Sequence, residues 1–312
     1  MPGIMPRAPD LECASCAIGS NPLRLLLTLL AWLPLPVLHA LGDALGTLLW
    51  LLPNSLKRIA LRNIRACLPE LDERAVRRLA RRSLVHQVKA VLDMPMIWVG
   101  PARRVLALVK EHRNPGVVDE ALARGKGMIL LTLHQGSFEA VALPFSAKHP
   151  AHGIYKPQPG TIDAMAFQGR TRFGGQLLPA EGGVSRRCVE ILARGETVYF
   201  MPDQDPPEGR GVFAPFFGIP AHTPTLVWRL ARESGAPVVF FWGERLPRGR
   251  GFIAHWHHAP PEIQSEDVQV SVAAMNRALE QCVREGLEQY WWSYKRFRRQ
   301  PPGVPRFYPK GE

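Results

Sequence analysis

The chain has 312 residues, enough to bury a full core as one large domain rather than two. Its 39 Lys and Arg outnumber 27 Asp and Glu for a net charge of +12, which suits anionic partners: nucleic acid, an acidic carrier protein or anionic lipid. Five cysteines, an odd number without framework spacing, argue against a disulfide-stapled domain and fit a reducing compartment.

Residues 1–23 form an N-terminal tail. Its Cys13-Ala14-Ser15-Cys16 has CxxC spacing but no second ligand pair nearby, so it reads as incidental. From Leu25 to Leu52 the chain is almost wholly apolar, interrupted by Thr28, His39, Asp43 and Thr47 and bent by Pro34 and Pro36. About 20 apolar residues cross a bilayer, so residues 24–52 are predicted as a membrane anchor, a single span starting near Leu23. The alternative is a monotopic or core helix, because Asp43 is costly in hydrocarbon and the prolines divide the run. Trp32 and Trp50 would serve as interface anchors, and no small-residue cleavage site marks a signal peptide. Lys57, Arg58, Arg62 and Arg65 follow the segment against Arg7 and Arg24 before it, which places the body on the cytoplasmic side.

From Asn54 to about Val99, Ile59, Leu61, Ile64, Leu68, Val76, Leu79 and Leu84 recur at helical spacing among arginines, as in amphipathic helices beside a membrane surface. Strands and helices then alternate. Gly125–Leu133 reads as a strand, Glu139–Ala147 as a helix, His152–Tyr155 as a strand, and 161–173 as a helix. Leu177-Leu178 is strand-like, Val184–Arg194 helical up to Gly195, and Thr197–Met201 a strand delivering Asp203-Gln204-Asp205, with a turn-rich loop from Pro206 to Gly211. Thr225–Ser234 reads as helix, Pro237–Trp242 and Gly251–His257 as strands, and Val268–Gly286 as a long helix. This alternation predicts an α/β layer fold with a mixed, largely parallel central sheet. With no repeat or linker, residues 53–312 read as one domain.

The step Met128-Ile129-Leu130-Leu131-Thr132-Leu133 into His134-Gln135-Gly136-Ser137-Phe138-Glu139 carries the chemistry. His134 stands at the carboxyl end of a buried strand, where ligands gather in open α/β sheets. A carboxylate against its other ring nitrogen would fix the tautomer and stabilise the imidazolium, so His134 and Glu139 form a candidate general-base dyad. Glu139 equally suits the positive end of the following helix. Lys156, Arg170 and Arg172 lie on later segments as candidate anion-binding residues. Asp203, after another strand, would orient one of these cations or a backbone loop, or else be an Asx-turn residue. His255-Trp256-His257-His258 puts His255 and His257 on one strand face, but no carboxylate cluster lies near in sequence, so no metal is expected. The basic aromatic stretch Tyr290–Arg299 reads as structural closure near the membrane face rather than a nucleic-acid stacking surface.

These motifs resemble the lysophospholipid-acyltransferase-like superfamily, and within it the late lipid A acyltransferases, lauroyl- and myristoyl-transferring, of bacterial inner membranes. The resemblance rests on Arg62-Asn63-Ile64 with Cys67-Leu68-Pro69, the His134–Glu139 box, Gly153–Pro157, Gly169–Arg172, Gly195-Glu196 through Gln204, Pro215–Gly218 with Thr223, and Glu288–Phe297. It implies an HxxxxE motif with His134 as general base and Glu139 as its partner. The substrate set is Lys156, Arg170, Arg172 and Asp203. The donor would be an acyl carrier protein or coenzyme A thioester used as substrate, with no cofactor. The acceptor would be an anionic glycolipid at the inner (cytoplasmic) membrane, or alternatively a lysophospholipid, aminolipid or polyene lipid. The chain departs from the family in Gly136-Ser137-Phe138, where Gly-Asn-Trp is common, and in Tyr155-Lys156-Pro157, where Tyr-Arg-Pro is common; lysine keeps the charge but not the planar fork. No GxSxG elbow occurs and no cysteine adjoins a histidine, so the acceptor hydroxyl would attack the thioester directly.

Overall fold

The computed structural model describes residues 21–309; Cys13 and Cys16 lie outside them. The apolar N-terminal run divides into α1 (Pro22–Trp32) and α2 (Leu35–Leu51), bent by 120° to one another. Leu33 is extended ahead of Pro34, and Pro36 occupies the first turn of the second helix, so the first cannot propagate through the break. Neither helix is long and apolar enough to cross a membrane by itself; the expected single span is instead a bent pair. Asp43 pairs with Lys89 of α4 at 2.8 Å.

Two amphipathic helices follow, α3 (Ser55–Cys67) and the 27-residue α4 (Glu73–Val99), then the short α5 (Ala102–Leu106). Gly42 and Gly46 of α2 bring α4 close: a Cβ on Gly46 would stand 2.6 Å from the Val85 backbone.

The body is built from β1 (Val109–Arg113), α6 (Gly116–Ala123), β2 (Met128–Leu131), α7 (Phe138–Ser146), β3 (Ala151–Tyr155), α8 (Thr161–Thr171), β4 (Gln176–Pro179), α9 (Val184–Ala193) and β5 (Thr197–Phe200). A hairpin, β6 (Gly211–Phe216) and β7 (Ile219–Pro224), comes next. It is followed by α10 (Leu226–Ser234), β8 (Val238–Arg245), β9 (Phe252–His258) and α11 (Val268–Glu285). Seven strands make one sheet in the order β1-β9-β8-β2-β5-β3-β4. The five from β8 to β4 are parallel, and β9 with β1 runs opposite at one edge. The α/β class and the mixed, largely parallel sheet agree with the sequence reading; β1, α6 and the hairpin are additions to it.

Strand alternation assigns the two faces. Ile129, Leu131, Val198, Phe240 and Trp242 pack under α3, α9, α10 and α11, while Met128, Leu130, Val239, Phe241 and Trp256 pack under α6 and α7. A third cluster joins Leu35 and Leu38 of α2 to Met96 and Ile97 of α4, Ala140 and Leu143 of α7 and Met165 of α8. The central strand β2, buried throughout, ends at Leu131, three residues before His134.

Candidate active site

Parallel pairing puts the carboxyl ends of β2, β5 and β3 on one edge of the sheet. Asp203 follows β5, is almost wholly buried, and grips the residue that follows β2. Its Oδ2 accepts the His134 backbone N–H and its Oδ1 pairs with His134 Nδ1, both at 2.9 Å. A carboxylate only accepts, so Nδ1 carries the proton and Nε2 the lone pair. The exposed Gln204 points its amide nitrogen at that Nε2 from 3.2 Å, consistent with the same tautomer. Phe138 and Trp291 flank the imidazole with ring centroids 5.9 and 5.4 Å away. Burial alone would raise the Asp203 carboxyl, but the His134 imidazole, its two hydrogen bonds and Arg296 hold it below the ordinary aspartate value.

The turn itself is clamped. Gly136 has φ of +59°, donates to Gln289 O at 3.0 Å, and leaves no room for a side chain, since a Cβ would fall 1.8 Å from Gly243 O. Ser137 N–H donates to Gly243 O, Trp291 N–H donates to His134 O, and the buried Gln135 amide donates to Cys282 O. Arg245 Nη2 donates to Gly136 O at 3.1 Å. Arg245 is itself paired with Asp93 at 2.7 Å, and Asp93 lies 3.1 Å from His39 of α2, all three buried.

Glu139 takes a different place from the one expected. It sits in the first turn of α7, buried, and accepts Arg170 Nε at 3.1 Å and Nη2 at 2.6 Å on one oxygen and Trp98 Nε1 on the other. The carboxylate on the His134 ring is therefore Asp203, not Glu139, because helix α7 starts at Phe138 and turns Glu139 toward α4 and α8. Asp203 engages the histidine with both its oxygens. Arg170 is held by Glu139; burial would lower its pKa, yet the Glu139 charge and hydrogen bonds leave it raised. Its guanidinium also lies 5.6 Å over the Trp98 ring. Arg172 donates Nη1 to Trp98 O at 2.9 Å and keeps Nε and Nη2 buried without a hydrogen-bond partner among the described residues. Lys156, just past β3, is exposed.

Sequence reasoning passed over Trp98, Asp93 and Arg245. Asp93 and Arg245 were visible only as charges inside otherwise apolar segments, Asp93 in Val91–Ile97 and Arg245 at the end of a strand. The 290–299 tail is the structural closure expected of it. Arg296 is buried and donates to His222 O and Thr223 Oγ1 at 2.6 Å each, and Arg298 pairs with Asp205 at 2.9 Å.

A histidine whose Nδ1 faces a buried carboxylate, on the carboxyl edge of an α/β sheet, has the geometry that general-base chemistry uses. Residues 23–299 match the family model for bacterial lipid A biosynthesis acyltransferases, and the chain belongs to that family; it is an acyltransferase. It is 31% identical over 290 residues to the lipid A biosynthesis lauroyltransferase of Escherichia coli K12, covering 90% of this chain and 92% of that one. Identity to the palmitoleoyltransferase of the same organism is 25% over 280 residues (88% and 90% covered), and to its myristoyltransferase 23% over 272 (86% and 82%).

Proposed function

We propose that this enzyme moves a fatty acyl group from an acyl carrier protein thioester onto a hydroxyl of an acylated, anionic lipid A precursor at the cytoplasmic face of the inner membrane. The observation that carries the mechanism is the His134–Asp203 pair, with Nε2 directed away from the carboxylate. His134 Nε2 takes the hydroxyl proton as the oxygen attacks the thioester carbonyl, Asp203 stabilises the resulting imidazolium, and the proton passes to the departing thiolate. Gln204, displaced from Nε2 by the incoming hydroxyl, is free to donate to the oxyanion. Glu139 holds Arg170 in place, and the exposed Lys156 supplies positive charge for substrate phosphates. The lipid A acceptor and the thioester donor are supported by family membership and by the net charge of +12, which suits both an acidic carrier and an anionic glycolipid.

The bent helix pair suits lying in the membrane interface rather than crossing it. Leu25, Leu26, Leu29 and Trp32 of α1 are each more than half exposed. The apolar surface continues onto α8, whose exposed Ile162 and Phe167 adjoin α1 through the Asn21–Thr161 hydrogen bond of 2.6 Å. Lipid substrates would then enter beside the helix that carries Arg170.

The test is acyl transfer by membranes carrying the enzyme, given labelled acyl carrier protein thioester and either an underacylated lipid A precursor or a lysophospholipid. Label on the disaccharide that drops by about 10²–10⁴ in His134→Ala is expected. Label only on the lysophospholipid would keep the mechanism and overturn the acceptor. Near wild-type turnover in a folded His134→Ala enzyme would overturn the general base.

A further inference from the structure

The second titratable cluster lies on β9. His255 and His257 alternate with Trp256 and face the side of the sheet covered by α11, whose last residue, Glu285, meets them. One ligand atom from each of the three lies within 4.8 Å of the other two. The carboxylates absent from the local sequence are supplied by the fold. Glu285 Oε2 stands 3.0 Å from His257 Nε2 and also accepts Trp242 Nε1–H at 3.1 Å, and Oε1 has no hydrogen-bond partner among the described residues. His257 Nε2 is a buried atom whose near partner is this Glu285 oxygen, in a contact that is not a well-directed hydrogen bond. The His255 ring is immobilised by stacking on Trp242, centroids 4.4 Å apart at 13°, and by Glu244 Oε2 at 2.8 Å from its Nε2. His257 also borders an open hollow walled by Asn114, Val117, Trp256 and Gln281, which gives an ion a way in.

We propose that His255, His257 and Glu285 bind one divalent transition-metal ion of the zinc type, with Glu244 orienting His255 and a water completing the coordination. Two imidazoles and one carboxylate make a nitrogen–oxygen donor set that suits zinc and not the all-oxygen preference of calcium or magnesium. A carboxylate on the far nitrogen is the usual outer partner of a metal-bound histidine, and it assigns Nδ1 of His255 to the ion. The site ties the carboxyl end of α11 to β9. Directly after it come Gly286 and the 3-10 turn Leu287–Gln289, whose Gln289 carbonyl accepts the Gly136 N–H. The ion therefore braces the segment that supports the catalytic turn without touching the reacting atoms. The proposal is independent of the acyltransferase mechanism.

The test uses purified full-length protein carrying Cys13→Ser and Cys16→Ser, so that the N-terminal cysteine pair cannot bind metal. After chelation and dialysis against buffered zinc, elemental analysis is expected to find one equivalent, with a higher Tm than the stripped protein. His257→Ala and Glu285→Gln should each weaken zinc binding at least tenfold, while His258→Ala, at the exposed end of the strand, leaves it unchanged. Cobalt substituted for zinc should give the visible absorption of a four-coordinate site. No zinc uptake, uptake indifferent to His257→Ala, or absence of the cobalt bands from the Cys13→Ser/Cys16→Ser parent would each show the cluster to be plain ion pairs. The cobalt measurement needs no variant in β9 or α11, so it decides the matter even if a substituted protein misfolds.

Discussion

Replacing Asp203 with Asn changes one oxygen to an NH₂ and removes one charge, at a residue whose two oxygens are both engaged by His134 at 2.9 Å. If the new NH₂ faces the His134 backbone N–H, two donors meet and a buried one goes unsatisfied, at about 1–3 kcal/mol. If it faces the ring, Nδ1 must become an acceptor and the proton moves to Nε2, the atom required to be free. Either way the imidazolium loses its counter-charge; a unit pair about 4 Å apart at an effective dielectric near 20 is worth about 4 kcal/mol. At about 1.4 kcal/mol per decade that is roughly three orders of magnitude, so kcat should fall by about 10²–10⁴ with KM little changed. Because the Asp203 carboxyl is held below the ordinary value of 3.8, its contribution to stability is complete above that pH and is lost only as pH falls through the depressed pKa. The deficit should accordingly be fully present across the neutral range. The assay is steady-state transfer of labelled acyl chains in detergent, with thermal unfolding as a control for folding. A folded Asp203→Asn enzyme retaining more than about a third of wild-type kcat would refute the reasoning.

Glu139→Gln strands the largely buried Arg170 guanidinium and should destabilise the fold by about 3–5 kcal/mol in denaturant titration, with Glu139→Gln/Arg170→Met recovering stability but not turnover. His86 is pushed down to about 2 by burial and by Arg245 and Lys89, so it stays neutral in the folded protein while the unfolded chain protonates near 6.5. Stability should therefore decline as pH falls below about 6.5, by up to about 1.4 kcal/mol per pH unit from this residue, and Tm against pH should be flatter in His86→Asn. Leu26→Glu with Leu29→Glu should release the protein from anionic liposomes in flotation while leaving its unfolding transition in place, because both side chains point outward from α1.

The hydrophobic pattern was enough to place most strands, because β2, β8 and most of β9 are buried runs bounded by turns and their helices have clear periodicity. It failed at β1, where Val109–Arg113 is a polar, exposed edge strand recognisable only by its pairing with β9. His134 stood out because it follows a buried apolar strand and falls in the HxxxxE box on which the family resemblance rests in part. Its partner did not. Glu139 lies five residues away and Asp203 sixty-nine, and sequence proximity favoured the first although helix α7 turns it away. The strand register, β2 beside β5, is what brings Asp203 to the ring. The same limitation hid Glu285 from His257 and Asp93 from Arg245.

The apolar N-terminal segment stands apart in composition, yet its packing does not stop at residue 52. Leu35 and Leu38 share a core with Ala140 and Leu143 of the helix that carries Glu139. From the same face of α2, His39 begins a buried polar chain through Asp93 and Arg245 to the Gly136 carbonyl in the turn that carries His134. A charge as deeply buried as Asp93 or Arg245 is tolerated only when its hydrogen-bonding groups are matched, so each member of that chain requires the others. Displacing α2 would leave Asp93 short of one partner and loosen Arg245, and through Arg245 the carbonyl two residues from His134. Helix α2 is thus tied through Asp93 and Arg245 to the turn that carries His134, which is a reason for the apolar helix pair to be packed into the domain rather than joined to it by a tether.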